Sequence, residues 1–455
     1  MRNRPYDTLS VGDEASLTRI CTEDDFFVYA SSSGNHNPLH LAGHEPADEP
    51  VAPSMWVASL ISAVIGNLLP GAGTLYRRQV VEFHARAHAG DELVATVRVL
   101  EKGPERAVRL ATRVSRSADD ATILDGEAEV IAPAEQLSLE DLEIPGLIVQ
   151  RHRHFEDMIA RAEPLAPLPT AVVAPEEPAS LGGALLAMRH TVITPILVGA
   201  PERIRAAAQE CGADLSEVEI VEAETHETAA RRGVDLVAEG RAEALMKGHL
   251  HTDELLRAAL RKERGLRTGR RLSHVFVMDV PGLGHPLLIT DAAINIQPDL
   301  AAKVDIVQNA IDLARSLGME EPKVGVLSAV ETVNTELPSS VDGALLAKMA
   351  ERGQITGGIV DGPLAMDNAV DIAAARTKGI RSQVAGRADI LVVPDLDAGN
   401  MLAKQLTYIA KAEGAGIVLG ATVPIILTSR ADDDMARLAS CAVAALHRER
   451  LARES

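Results

Sequence analysis

From about residue 168 the chain repeats one pattern, and that pattern limits the folds open to it. Short continuous apolar runs occur as "TAVVAP", "TPILVG", "VEIVEA", "AEALMKG", "SHVFVMDV", "PLLITD", "PKVGVLSAV", "GGIVDGP", "ADILVVPD" and "VPIILTS". Polar helical stretches such as "PERIRAAAQECG", "HTDELLRAALRKERG" and "AAKVDIVQNAIDLARSLG" separate most of them. A strand with one wet face alternates apolar and polar residues, whereas a strand covered on both faces is apolar throughout. The pattern therefore predicts a mostly parallel α/β sheet with helices on both sides. Polar residues and glycines follow many of the runs, and in such sheets this carboxyl edge is where ligands bind.

The first 133 residues read differently. "TEDDFFVYAS" predicts a helix with Thr22 as N-cap and Asp24 and Asp25 in its first turn. "SMWVASLISAVIGNLLPG" is apolar almost all round, which predicts a buried helix ended by Pro70–Gly71. Alternating Val- and Thr-rich stretches follow, separated by the turns "HAGDE", "EKGPE" and "SADD". One helix followed by antiparallel strands predicts a sheet wrapped around it. Residues 134–165 read as a linker and a connecting helix, "HFEDMIARAE", leaving 166–455 for the α/β part.

Composition narrows the function. Only 2% of the 455 residues are aromatic, so Ala, Val, Leu and Ile must do the packing. A formal net charge of −20 argues against nucleic acid or an anionic membrane as the main partner. No apolar run reaches the ~18 residues of a membrane span, and the first residues carry no apolar leader core. Cys21, Cys211 and Cys441 are far apart and odd in number, which fits inert thiols in a reducing cytoplasm. His249 and His251 in "KGHLH" lack a third ligand at usual spacing, so no metal is expected. No P-loop or G-x-G-x-x-G signature is present. A cytoplasmic enzyme with no tightly bound cofactor follows as the expectation.

Several strand ends carry groups suited to an anionic substrate. Lys247 sits on a Gly-containing turn, with Arg257 about a turn into the next helix. Asp291 and Asn295 follow one strand, and Asp361 and Asp367 flank another turn. Gly399 and Asn400 open a helix that carries Lys404. Taken singly, Asp291, Asp361 and Asp395 read as turn or cap residues and Lys404 as a solvated lysine. Ser429–Arg430 is more specific: a hydroxyl and a guanidinium at a strand end suit an oxyanion or a phosphate.

These residues lie within motifs that resemble the phosphate acetyl-/butyryltransferase family. The resemblance runs in order through "MKGHLHTDELLRA", "SHVFVMDVPG", "ITDAAINIQP", "VLSAVETVN", "GQITGGIVDGPLAMDNA", "VAGRADILVVPDLDAGNMLAKQLTYIA" and "PIILTSRADD". "AKQLTYIA" and "LTSRADD" look closer to the butyryl branch, because the acetyl branch often has Arg where Tyr408 stands. The resemblance implies a fold of isocitrate dehydrogenase type with two α/β subdomains, roughly 166–274 plus 421–455 and 275–420. It implies interconversion of acyl-CoA plus phosphate with acyl phosphate plus CoA, in a homo-oligomer. Ser429 and Arg430 would serve as oxyanion donors and Arg257 as a phosphate ligand. Lys247, Asp291, Asn295, Asp361, Gly399, Asn400 and Lys404 would line the substrate site. An Asp just after the Ser–Arg pair would take the CoA thiol proton; of Asp432, Asp433 and Asp434, the last is favoured.

The loop "SSSGNHNPLH" makes a second resemblance, over residues 5–133, to the MaoC-like hydratases, a hot-dog fold. That family's loop reads roughly S-G-D-x-N-P-x-H, and its Asp and His activate water for addition to a 2-enoyl-CoA. Here Asn35 stands at the Asp position and His40 at the His position. An amide cannot take and return that proton. Pro53–Ser54 replaces the family's His–Gly before the central helix, which reads as a second loss because Pro lacks an N–H. The whole is expected to be a multidomain α+β and α/β protein: an acyltransferase with a repurposed, CoA-binding hot-dog domain. The alternatives are a bifunctional hydratase/acyltransferase and an acyl-CoA-binding or oligomerisation scaffold.

Overall fold

A computed structural model describes residues 3–41, 50–137, 153–428 and 432–454. The chain separates into two compact units, residues 1–149 and 150–455.

In the first unit, β1 (Glu14–Ile20), β2 (Leu75–Phe83), β3 (Glu92–Lys102), β4 (Ala107–Arg116) and β5 (Thr122–Ile131) form one antiparallel sheet in the order β1-β3-β4-β5-β2. Helix α1 (Glu23–Ser33) starts with Thr22 as the expected N-cap, and Asp25 completes a capping box in which the two side chains satisfy each other's backbone N–H. Helix α2 (Ser54–Asn67) lies on the sheet against β1, β3 and β4. This is the expected hot-dog arrangement of a sheet around one helix. The expectation that α2 is buried on all faces fails. It buries Trp56, Val57, Leu60, Ile61, Val64 and Ile65, while Ser54, Met55, Ser59 and Ser62 are not buried. The serines belong to a polar stripe that the apolar count alone did not separate.

The second unit holds an eleven-stranded sheet. Its strands are β6 (Leu168–Val173), β7 (Ile193–Gly199), β8 (Glu219–Glu222), β9 (Ala244–Lys247), β10 (Ser273–Asp279), β11 (Leu287–Thr290), β12 (Lys323–Leu327), β13 (Ile359–Leu364), β14 (Ile390–Val392), β15 (Glu413–Leu419) and β16 (Ile425–Ile426). Their order is β13-β12-β14-β11-β10-β15-β16-β9-β6-β7-β8. Pairing is parallel except at β10, antiparallel to both its neighbours, and between β15 and β16. Alternate strand residues enter different cores: Leu168, Val172, Ala244 and Met246 join one, and Ala171, Val173 and Leu245 another. Both faces are therefore dry, which accounts for the unbroken apolar runs.

The helices are α3 (Arg153–Ala162), α4 (Pro178–Arg189), α5 (Pro201–Glu210), α6 (His226–Ala238), α7 (Thr252–Ala259), α8 (Leu300–Ser316), α9 (Pro338–Glu351), α10 (Met366–Val370), α11 (Ile372–Thr377), α12 (Leu396–Tyr408) and α13 (Asp434–Glu454). Helices α3, α4 and α13 pack together on one face, and α6 and α7 pair on the other. Among the described residues no helix is long and apolar enough to cross a membrane.

His274 on β10 is wholly buried, with its ring edge-on to Phe276 at 4.3 Å. Burial pushes its pKa down to about 4, against the pull of nearby Asp291, which favours the charged form. The unfolded chain therefore takes up this proton first, near the ordinary histidine pKa of about 6.5. Stability from this group is complete above that pH and is lost as pH falls from about 6.5 toward 4. By pH 5 the loss is expected to reach roughly 2 kcal/mol. Urea unfolding at pH 7.5 and pH 5 checks it, since His274→Met should remove this share of the pH dependence. An unchanged pH dependence in that variant would refute the assignment.

Candidate functional site

The carboxyl ends of β6, β9 and β16 meet the start of α4 around a small pocket of about 20 Å³, lined by Glu177, Ala179, Ser180, Lys247, Gly248, His249, Thr428 and Arg437. Lys247 is the last residue of β9, is only 7% exposed, and donates to the Thr428 carbonyl at 3.2 Å. The turn after it needs glycine. A Cβ on Gly248 would lie 2.4 Å from the Ala174 carbonyl oxygen, while Gly248 N–H donates to Val173 O at 2.8 Å. That close approach carries His249 to the pocket, where its Nδ1 lies 2.6 Å from Glu177 Oε1.

Arg437, in the first turn of α13, is the second buried cation, 3% exposed, and its Nη1 donates to Ala179 O at 3.0 Å. It lies along α4 because residue 183 is glycine; a Cβ there would sit 2.4 Å from Arg437 Cδ. No side chain caps α4. Its open first turn adds a partial positive charge to the two cations.

A row of charged groups borders the pocket. Glu176 accepts from Ala200 N–H at 3.1 Å, Arg203 at 3.0 Å and His226 at 3.3 Å. Burial alone would raise its pKa, but these three donors outweigh burial and hold it below the usual carboxylate range. The His226 and His249 rings meet edge to face at 5.9 Å.

Of the residues singled out in the sequence, Lys247 lines this pocket, and several others do different work. The Arg257 side chain is 75% exposed, pairs with Asp253 at 3.0 Å, and lines a separate groove on α6 and α7 with Arg231 and Arg261. Each arginine of that groove already faces a carboxylate: Glu227 for Arg231, Asp253 for Arg257, Asp235 for Arg261. Asp291 is buried and accepts from the backbone N–H groups of Ala293, Ile294 and Asn295 and from Asn295 Nδ2. Asn295 in turn accepts from Arg271 Nε at 2.8 Å. These two residues tie a turn together, as the individual reading of Asp291 allowed. Asp361 accepts from the Gly362 N–H, and Asp395 caps α12. Asn400 donates to Ala292 O, and Gly399 lets α12 approach Ala292, where a Cβ would lie 3.0 Å from its Cα. Lys404 is exposed, and Tyr408, the basis of the butyryl leaning, is 61% exposed at the end of α12.

Ser429 and Arg430 lie outside the described residues; Thr428, directly before them in the chain, lines the pocket. Two of the three aspartates now separate. Asp433 caps α13, accepting from Ala436 N–H at 2.8 Å. Asp434 is exposed at the first position of α13, and a Cβ on Gly182 of α4 would lie 3.8 Å from its Oδ1. Sequence reasoning missed Ser180, Thr428 and Arg437. Arg437 reads there as an ordinary helix arginine, and only the glycine across from it marks the slot it fills. Burial pushes the thiols of Cys21 and Cys441 up to about 12, so neither is a nucleophile at neutral pH.

In the first unit the loop folds as chained turns. Gly34 ends α1 in the left-handed region at φ 73°. The Asn35 oxygen accepts from Asn37 N–H at 3.2 Å, and the Asn37 oxygen accepts from Leu39 N–H at 3.1 Å. His40 Nδ1 lies 2.8 Å from the Val51 carbonyl oxygen. A carbonyl only accepts, so Nδ1 carries the proton and Nε2 keeps its lone pair. Pro53 corrects the second expected loss. It is the N-cap of α2 and not one of its donors, so the N–H groups of Ser54, Met55 and Trp56 remain, and no side chain caps them. Glu82, His84 and Asp125 also meet on the surface of this unit, all exposed, with His84 Nε2 3.0 Å from Asp125 Oδ1.

The family model "Phosphate acetyl/butaryl transferase" matches residues 225–445. A phosphate acetyltransferase from Rhizobium meliloti is 59% identical over 296 residues, spanning 65% of this chain and 94% of that protein. The chain belongs to the phosphate acetyl/butyryltransferase family. Its second unit is an acyltransferase of that family, with the fold expected from the motifs. A solved branched-chain phosphotransacylase from Enterococcus faecalis V583 superposes with a TM-score of 0.55 at 31% identity, covering 62% of this chain and 99% of that one. The R-hydratase PhaJ1 from Pseudomonas aeruginosa, in the unliganded form, is 40% identical over 33% of this chain and 98% of that one, with a TM-score of 0.32.

Proposed function

We propose that this acyltransferase interconverts acyl-CoA plus orthophosphate with acyl phosphate plus CoA. The observation that carries the reading is the pocket with two buried cations at the sheet's carboxyl edge. In the forward direction a phosphate oxygen attacks the thioester carbonyl carbon. The resulting tetrahedral oxyanion collapses, the C–S bond breaks, and the thiolate leaves and is protonated. Ser429 and Arg430 are the donors to the oxyanion, where preorganised hydrogen bonds act most strongly. Asp434 exchanges the thiol proton, since Asp433 is engaged as a cap.

The preferred acyl group is acetyl, in keeping with the higher identity to the acetyltransferase. The reaction takes place in the cytoplasm on soluble substrates, in an assembly of more than one copy. Edge strand β2 supports assembly, because it leaves Leu75, Val80 and Phe83 more than two-fifths exposed. Phosphate-dependent CoA release should be faster from acetyl-CoA than from butyryl-CoA. No release from either thioester would defeat the transferase reading, and faster release from butyryl-CoA would defeat only the acyl preference.

A second reading concerns the first unit. His40, with Nε2 left as an acceptor, and the uncapped start of α2 make a site that can hold a thioester carbonyl and a water, so this unit binds acyl-CoA. Its hydration activity is limited by Asn35.

A further inference from the structure

We infer that Lys247 is a positioning residue of the transferase: its ammonium holds the peptide that leads into Ser429–Arg430, and it acts through that pair rather than on substrate. The inference rests on the transferase reading above, which gives the pair its work. Strand β16 is two residues long, and its ladder to β9 stops where Ile426 pairs with Met246. The chain then runs on through Leu427 and Thr428 before it reaches Ser429. On one side Leu427 N–H donates to Gly416 O at 3.1 Å. On the other, Lys247 follows Met246 in β9, and its Nζ reaches past the end of the ladder to donate to Thr428 O at 3.2 Å. A side chain takes over where backbone pairing ends.

Thr428 O belongs to the peptide group whose N–H is that of Ser429. A peptide is planar, so holding its oxygen fixes the plane that carries the Ser429 nitrogen and Cα. A charged donor makes that hold stronger than a neutral one would. Lys247 is itself anchored. Its Cα pairs with Val173 of β6, and the turn after it is tied by Gly248 N–H to Val173 O at 2.8 Å and by His249 N–H to Ala174 O at 2.6 Å. A Cβ on Gly248 would lie 2.4 Å from Ala174 O, so this turn has no room to shift. Burying an ammonium is costly unless it is hydrogen-bonded, and both Lys247 and Thr428 are buried. The cavity beside them, about 20 Å³, has room for a water molecule. The work of this charge therefore lies on the protein backbone.

Steady-state CoA release by the full chain, with phosphate and acetyl-CoA varied in turn, tests this. Lys247→Met, which keeps an unbranched stem and removes the ammonium, should lower kcat by roughly 10- to 100-fold, the scale of a small misplacement of reacting groups. Both KM values should stay within about twofold, because no substrate contact is lost. Lys247→Arg, which can still donate to the carbonyl, should recover part of kcat. A double-mutant cycle separates positioning from general damage. In the Ser429→Ala chain, Lys247→Met should cost at least about threefold less than it does in the wild type, since one of the groups it positions is already gone. Should Lys247→Met fail to fold, the same cycle with Lys247→Arg should show the same shrinkage. A raised phosphate KM with unchanged kcat would make Lys247 a substrate ligand and overturn the inference. Wild-type kcat in Lys247→Met, or equal losses in the two backgrounds, would overturn it as well, while wild-type turnover kept the transferase reading intact. A wild type that releases no CoA with phosphate would overturn both.

Discussion

Ser429→Ala is expected to lower kcat for phosphate-dependent CoA release by roughly 10²- to 10³-fold, the usual cost of one oxyanion donor. The effect should lie in kcat, with the KM for acyl-CoA changed little, because the hydroxyl is asked to act on charge that exists only in the tetrahedral state. Neither Cys21 nor Cys441 offers an alternative route through an acyl-enzyme, since burial holds both thiols protonated. A direct attack by phosphate depends instead on electrostatics alone. Arg430→Gln should fall in the same range and also weaken phosphate binding, because a guanidinium serves both the oxyanion and the nucleophile. Rates measured at saturating phosphate and acetyl-CoA separate the two. A Ser429→Ala enzyme with wild-type kcat would remove the hydroxyl from the mechanism and leave the stabilisation to Arg430 and backbone donors.

The parts of this fold legible in the sequence are those governed by local chemistry. Continuous apolar runs reveal strands buried on both faces, and Leu245 and Met246 do enter different cores. Thr22 reads as an N-cap, and it caps α1, with Asp25 returning the bond as a capping box. Lys247 is legible because it sits on a strand end beside a glycine that can only be serving the backbone. Arg437 is not, because its meaning depends on Gly183, some 250 positions away in the chain, and on an α4 start that no side chain caps. Arg257 shows the converse. Its motif matches a family pattern, yet here its guanidinium pairs with Asp253 one helical turn back and faces a groove already balanced in charge. Asp291 and Asn295 fall among the expected substrate residues because a carboxylate and an amide after a strand look catalytic. The structure uses them to bind backbone N–H groups that a tight turn leaves over. Motif position identifies a strand end; it does not say which way the side chain is satisfied.

Asn35→Asp is expected to raise hydration of crotonyl-CoA by roughly 10²- to 10⁴-fold over the wild-type chain, the usual contribution of a positioned general base. Asn and Asp are nearly the same shape, so the substitution should leave the loop intact. One carboxylate oxygen can still accept the Asn37 N–H that the amide oxygen accepts now at 3.2 Å, while the other becomes a base. On the proposed reading the partners are His40, whose Nδ1 lies against Val51 O, and the uncapped first N–H groups of α2. Pro53 does not subtract from them, since it precedes the donors. Loss of the enoyl thioester absorbance follows the reaction. The control adds His40→Ala to the Asn35→Asp chain, and the double variant should return to the wild-type rate. If the wild type already hydrates as fast as the single variant, His40 suffices and both units are active enzymes. If the Asn35→Asp chain gains nothing while it still binds crotonyl-CoA, the loop is a turn that serves the fold, and the first unit contributes binding alone.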